Sequence, residues 1–348
     1  MNGTAFIVQY AYRGVVFQVS RRVRLPDTVR IEPVGKCNLN CRMCPGGIRR
    51  NGRQSVMPLE MFDSLLDQFE SAREVQLQGL GEPLLHPSFT QFIDRAAGRG
   101  LKVTAATNLT LLNEKIANSF VSGALDALSV SIESPSEDTY GWLCRDTRLP
   151  DVLSNLQMLL ERRESAGSGK PRVTVTSWIM RENIAQLPRL VELVGSLGVE
   201  AFTAEHLPGT MDEAALPRNY RPVRDFVLWQ MPTREDRPAM KKSFEECMKL
   251  GRRNGVEVTL PPLRPAPGDG GDKACEWPWR EAFVSSSGKM IPCPNVGTPD
   301  RCHMGDAASD GVASVWNGPR FNEFRSKLVD GDPPEICRHC SRTSAPGA

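Results

Sequence analysis

The sequence predicts an α/β protein: a partial (β/α)6 TIM-like barrel over 28–260, followed by a small cysteine-rich C-terminal domain over 275–348. Three observations lead there. Short β-like runs alternate with helical patterns of roughly 10–15 residues, and repeated β-then-α order means a parallel sheet. A Pro-, Gly- and Asp-rich stretch, "PPLRPAPGDGGDKA" at 261–274, reads as a linker. The 10 cysteines are grouped, with three at Cys37, Cys41 and Cys44 and five between Cys275 and Cys340.

Each element follows from its own pattern. Residues 1–27 form an N-terminal β segment, too short for an independent domain without a staple. "TVRIEPV" (28–34) is the first barrel strand. "MPLEMFDSLLDQFE" (57–70) is a helix with Pro58 in its first turn and Leu59, Phe62, Leu65, Leu66 and Phe69 on one face. Strand "EVQLQG" (74–79), a helix over 87–100 that closes on glycine, and strand "LKVTAATN" (101–108) come next. Helix 111–123, strand 125–134, helix 149–163, strand 171–180, helix 183–198, strand 199–207 and a helix near 235–254 complete the series. So many units favour a barrel over an open doubly wound sheet, with catalytic residues at the C-terminal strand ends.

Composition narrows the function. The 43 basic residues nearly balance the 41 acidic ones, and a net charge of +2 argues against a general role on nucleic acid or a membrane surface. The first residues lack a basic, cleavable leader, and no apolar run is long enough to span a bilayer, so a cytoplasmic location is expected. Cytoplasmic thiols stay reduced, and grouped cysteines there point to metal centres.

"CNLNCRMC" (37–44) follows the first strand. Three thiolates at this spacing can cap three corners of an iron–sulfur cubane and leave the fourth iron open. A zinc knuckle with a fourth ligand from elsewhere, or plain reduced thiols, are the alternatives. "GLGEPLLHP" (79–87) after the second strand and "VSIESP" (130–135) after the fourth complete a pattern that resembles the radical S-adenosylmethionine (SAM) enzymes, over about 27–340. The resemblance implies a [4Fe–4S] cluster on Cys37, Cys41 and Cys44 that binds SAM, with an external one-electron donor of the flavodoxin or ferredoxin type. It places Gly81 and Glu82 against the methionyl amino group, and Asn108 and Ser131 at the ribose and carboxylate. Met43 stands where the family usually has an aromatic residue on adenine, and a thioether can pack on a purine edge. His206, at the end of the sixth strand, falls where the family contacts adenosine or substrate; Trp178 and Arg181 are similarly placed. Glu133 stands where aspartate often follows "VSI", as a substrate contact or a structural ion pair. Cys144 is either a hydrogen-atom donor near the active-site mouth or a partly buried free cysteine.

The C-terminal region carries C-x12-G-x4-C from Cys275 to Cys293, then "CRHC" with Cys337 and Cys340. This resembles the twitch domain, the shortened SPASM domain, whose four cysteines hold an auxiliary [4Fe–4S] cluster. A structural zinc ribbon satisfies the same four ligands, and Cys302 is an alternative ligand or a loop thiol. Three functions compete: hydrogen abstraction from a carbinol carbon of a sugar-like natural-product intermediate, giving dehydrogenation or decarboxylation; a peptide-modifying enzyme; and a non-catalytic barrel with a zinc ribbon. The short N-terminal segment favours the first, with a small sugar-like partner and neither nucleic acid nor membrane.

Overall fold

The computed structural model describes residues 8–12, 15–19, 22–51, 55–208, 211, 213–263, 275–338 and 340. Strands β1 (Val8–Tyr12) and β2 (Val15–Val19) form an antiparallel hairpin of their own. The barrel strands are β3 (Thr28–Ile31), β4 (Glu74–Leu77), β5 (Lys102–Thr107), β6 (Ala127–Ser131), β7 (Arg172–Ile179), β8 (Ala201–His206) and β9 (Glu257–Thr259). Each pairs in parallel with the next. Three more strands, β10 (Glu281–Val284), β11 (Lys289–Ile291) and β12 (Gly305–Asp306), extend the same sheet, in the order β12-β11-β10-β3 through to β9. The terminal strands β12 and β9 do not pair, so the barrel is partial.

Local sequence explains the elements. In β7 burial alternates with every residue, putting Val173, Val175, Ser177 and Ile179 inside, as a period of two requires. The helices cover this same face with apolar stripes, and Trp178 on the opposite face lines a cavity. Helix α1 (Leu59–Gln68) buries Phe62, Leu65 and Leu66, and α2 (Phe89–Gly98) buries Phe89, Phe92, Ile93 and Ala96. The Asn113 side chain caps α3 (Glu114–Val121) by accepting from the Ile116 N–H. Helices α4 (Glu137–Cys144), α5 (Leu149–Ser165), α6 (Leu187–Ser196), α7 (Arg221–Gln230) and α8 (Arg237–Asn254) follow, the last ending at Gly255 with φ 69°.

The expected strand–helix series is present, with additions at α4, α7 and β9. The stretch read as a linker lies outside the described residues from 264 to 274. Beyond it the chain returns to the sheet: β10 lies parallel beside β3, pairing Glu281 with Thr28 and Val284 with Ile31. Arg30 crosses that seam, its Nε donating to Glu281 Oε1 at 2.7 Å. The cysteine-rich region is therefore joined to the barrel edge to edge. Among the described residues no helix is long and apolar enough to cross a membrane.

Candidate active site

All seven barrel strands run in parallel, so the loops after β3 to β8 meet at one end. The cysteine loop follows β3. Its Cys37 Sγ accepts from the Leu39 N–H at 3.4 Å, and its Cys44 Sγ accepts from the Gly46 N–H at 3.3 Å. The loop is strapped to α4. The Arg42 N–H donates to Leu143 O at 2.9 Å, Arg42 Nε donates to Trp142 O at 2.8 Å, and the guanidinium sits 4.7 Å from the Trp142 ring centroid.

Burial, with repulsion from Cys44, pushes the Cys37 thiol up to about 12, and burial first, then Cys41, does the same for Cys44. The Cys41 thiol is raised by its hydrogen bond with Cys144 and by burial. Converged, buried thiols of this kind ionise only against a cation, and backbone N–H groups aimed at sulfur favour the thiolate once one is there. The donor set therefore fits an iron–sulfur cluster. Among the described residues no three His, Cys, Asp or Glu side chains converge tightly enough for a single metal ion.

The glycine loop after β4 packs on the cysteine loop. A Cβ on Gly81 would sit 1.8 Å from Val34 O, and one on Gly46 would sit 2.5 Å from Leu80 O, so neither position admits a side chain. Glu82 is 2% exposed. Its Oε1 accepts from Thr107 Oγ1 at 2.6 Å and from the Leu84 N–H at 3.0 Å, and its Oε2 accepts from the Asn108 N–H at 2.7 Å. Three of about four acceptor lobes are used. Burial lifts its pKa to about 7 against those bonds, so an ammonium at the remaining lobe would restore the anion.

The remaining predicted residues divide. Asn108 donates to Asn38 Oδ1 at 3.0 Å and reaches Cys37 Sγ at 3.7 Å, while its own oxygen accepts from Thr110, so it stiffens the cysteine loop. Half-buried Ser131 ends β6 opposite Thr176 of β7. Glu133 is buried, accepts from the Trp178 N–H at 2.7 Å, and is lifted to about 8 by burial. Cys144, expected at the mouth, is 4% exposed at the end of α4, and its carbonyl accepts from Cys41 Sγ at 3.4 Å. Met43, expected on adenine, packs in the hydrophobic core because its thioether is apolar. Arg181 stands apart: β7 ends at Ile179, and the guanidinium turns to Asp236 Oδ2, 3.3 Å away at the start of α8.

A cavity of 230 Å3 opens at the ends of β7, β8 and β9, lined among others by Trp178, Glu205, His206, Pro261, Pro262 and Asn295. His206 Nε2 is 3.0 Å from Pro262 O. Asn295 belongs to the C-terminal region, where its Nδ2 donates to Cys340 Sγ at 3.7 Å. Cys275, Cys293 and Cys340 all lie close enough to Cys337 to raise its thiol, after burial itself, and Cys302 adds to this from farther off. This second thiol group also fits a cluster. Arg301, buried beside it, is held by Glu213 at 2.5 and 2.9 Å and donates to the carbonyls of Asn295 and Val296.

Sequence reasoning missed Glu32, whose carboxylate accepts from the Leu80 and Gly81 N–H groups and from Ser286. Its place inside "TVRIEPV" reads as one more strand residue, and the only signal is an acid between apolar neighbours at a strand end.

Comparisons with known proteins agree on the architecture. The family model for the radical SAM superfamily matches residues 31–194, and the model for the SPASM iron–sulfur cluster-binding domain matches 275–341. The chain is 23% identical over 337 residues to the tungsten-containing aldehyde ferredoxin oxidoreductase cofactor-modifying protein of Pyrococcus furiosus, covering 90% of this chain and 87% of that protein. It is 24% identical over 327 residues to the PqqA peptide cyclase of Granulibacter bethesdensis, covering 91% and 80%. The crystal structure of Streptococcus suis SuiB bound to precursor peptide SuiA superposes with a TM-score of 0.68 at 14% identity, covering 91% of this chain and 71% of that one, a likeness of fold. The expected partner is corrected by these proteins. A peptide is named for two of them, against the sugar-like small molecule, without nucleic acid, that the sequence predicts.

Proposed function

Since the chain belongs to the radical SAM superfamily and carries a C-terminal SPASM domain, it is an enzyme, and we propose that it modifies a peptide, forming a thioether or carbon–carbon crosslink at one of its side chains. The observation that carries the reading is the 230 Å3 cavity at the ends of β7, β8 and β9, which reaches the second thiol group through Asn295. Small-molecule sites that enclose a whole ligand run from about 300 Å3 upward. A smaller recess suits one side chain of a longer substrate whose backbone stays at the mouth. The names of the peptide cyclase and of the peptide-bound structure support the same substrate class.

In this reading Cys37, Cys41 and Cys44 would hold the SAM-binding [4Fe–4S] cluster, and Cys275, Cys293, Cys337 and Cys340 would hold an auxiliary one. Loaded with SAM and one electron, the first cluster would supply abstraction of one hydrogen atom from the substrate, and the auxiliary cluster would take up the second electron as a proton leaves and the crosslink bond closes. The chain's own part is binding, orientation and exclusion of water. Gly81 brings backbone against the methionyl group, and Glu82, already held on three sides, meets its ammonium. Asn108 keeps the cysteine loop in place. Trp178, Pro261 and Pro262 wall the recess with apolar surface, and His206 and Asn295 offer polar contacts to the side chain inside.

The test uses the reconstituted enzyme with SAM, a reductant and a panel of peptides presenting each side-chain type. The expected result is 5′-deoxyadenosine together with a peptide two hydrogens lighter. Formation of 5′-deoxyadenosine with no peptide altered in mass would sink the peptide reading and leave the family assignment intact.

A further inference from the structure

Through Glu32 the two halves of the molecule touch the expected SAM site together. It directly follows β3 and is 1% exposed. Its Oε1 accepts from the N–H groups of Leu80 and Gly81 at 3.0 and 3.3 Å. Its Oε2 accepts from the N–H and hydroxyl of Ser286 at 3.2 and 2.9 Å. Ser286 belongs to the turn between β10 and β11, and its hydroxyl also meets Ser55 Oγ at 2.7 Å, just after the cysteine loop. A Cβ on Gly79 would lie 2.4 Å from Glu32 Cγ, so the glycine loop is shaped to let this carboxylate pass beneath it.

We infer that Glu32 is a positioning residue which sets the Gly81–Glu82 edge for the methionyl group of SAM and makes that setting depend on the docked C-terminal turn at Ser286. The inference rests on the radical SAM reading of Gly81 and Glu82. One carboxylate satisfies donors from both sides at once. Releasing the turn frees Oε2 to rotate, and Oε1 then loses its aim at Leu80 and Gly81. Hydrogen bonds to a buried carboxylate are directional and strong, so the loop has little freedom while all four are made. Coupling of this kind is reciprocal: bound SAM holds the turn as the turn holds the SAM loop.

The experiment measures the equilibrium dissociation constant of SAM on the full-length, cluster-loaded enzyme for wild type, Glu32→Gln, Ser286→Ala and the double variant, with iron per chain measured in parallel. The expected result is weakening of roughly tenfold for Glu32→Gln and roughly threefold for Ser286→Ala, with the double variant no weaker than Glu32→Gln alone. Iron content stays at the wild-type value, and at saturating SAM the rate of 5′-deoxyadenosine formation stays within roughly twofold of wild type, a binding effect separated from chemistry. If Glu32→Gln does not fold, Ser286→Ala decides by itself, since it keeps the carboxylate and removes one donor. Unchanged SAM affinity in the variants that fold, or strictly multiplicative effects, would overturn the inference and leave the family reading standing. A wild-type enzyme that is loaded with iron yet binds no SAM would overturn both.

Discussion

The two thiol groups are built in opposite ways. Cys37, Cys41 and Cys44 come from one loop of eight residues, fixed by the strand before it and by the Arg42 strap to α4. Cys275, Cys293, Cys337 and Cys340 come from segments far apart in sequence, in a region whose own strands are two to four residues long. Closing a short loop costs little chain entropy, so the first group is arranged by its neighbours with or without a cluster. The second gathers distant segments, where a bound cluster acts as a staple and its binding energy becomes folding energy. The first site would thus be organised before any cluster binds, and a cluster at the second would lend its binding energy to the fold around it.

Single cysteine changes test that contrast most severely. Cys41→Ala is expected to bring 5′-deoxyadenosine formation down to background while shifting the melting temperature by only a few degrees. Cys293→Ala is expected to lower the melting temperature by well over that, as loss of a structural metal site does. Equal thermal shifts in calorimetry of the two variants would remove the distinction.

Arg301→Ala asks how far the second region depends on protein contacts as well. It strips Glu213 of its partner, with side chains 5% and 6% exposed, and removes bonds to two carbonyls. Breaking a buried pair from one side costs roughly 3–5 kcal/mol, readable in urea denaturation. A change below about 1 kcal/mol would mean that the cluster alone holds the region.

The first region answers to pH. The Glu133 carboxyl, buried under the Trp178 N–H, binds its proton up to about pH 8 when folded, against 4.5 for the ordinary group. A raised folded-state pKa stabilises the native protein fully below the ordinary value and is lost as pH rises through the folded one. The metal-free protein should therefore lose on the order of a few kcal/mol between about pH 4.5 and 8. Glu133→Gln should flatten that slope; the same slope in the variant would assign the loss to other groups. Smallest is the effect of Arg42→Ala, about 1–2 kcal/mol from one hydrogen bond and one cation–π contact. Iron retention at the first site should fall with it.

How much of this was legible in the sequence depended on range. The strand–helix alternation is a local signal, and it placed the cysteine loop, Gly81–Glu82, Asn108, Glu133 and His206 at strand ends that the parallel sheet brings together. Cys144 and Arg181 were placed by proximity to strand ends alone. Helix α4 carries Cys144 inward, and Asp236, 55 positions downstream of Arg181, draws the guanidinium away. Glu32 with Ser286 and Glu213 with Arg301 join residues 254 and 88 positions apart. Nothing local marks such pairs, because the partner is chosen by topology. The substrate class is not legible for a related reason: the length of the N-terminal segment carries no information about a recess lined by residues of β7, β8 and the C-terminal region.

The seam between β10 and β3 has a consequence for how the chain is made. On the ribosome β3 emerges early and finds β4 on one side, but its other edge stays bare until residues 281–284 appear. An unpaired strand edge is a template for other chains. Arg30 stands in that strand throughout, a charge that discourages stray pairing until Glu281 arrives to neutralise it. The residue that seals the finished sheet is thus also the kind of edge charge that opposes pairing with other chains.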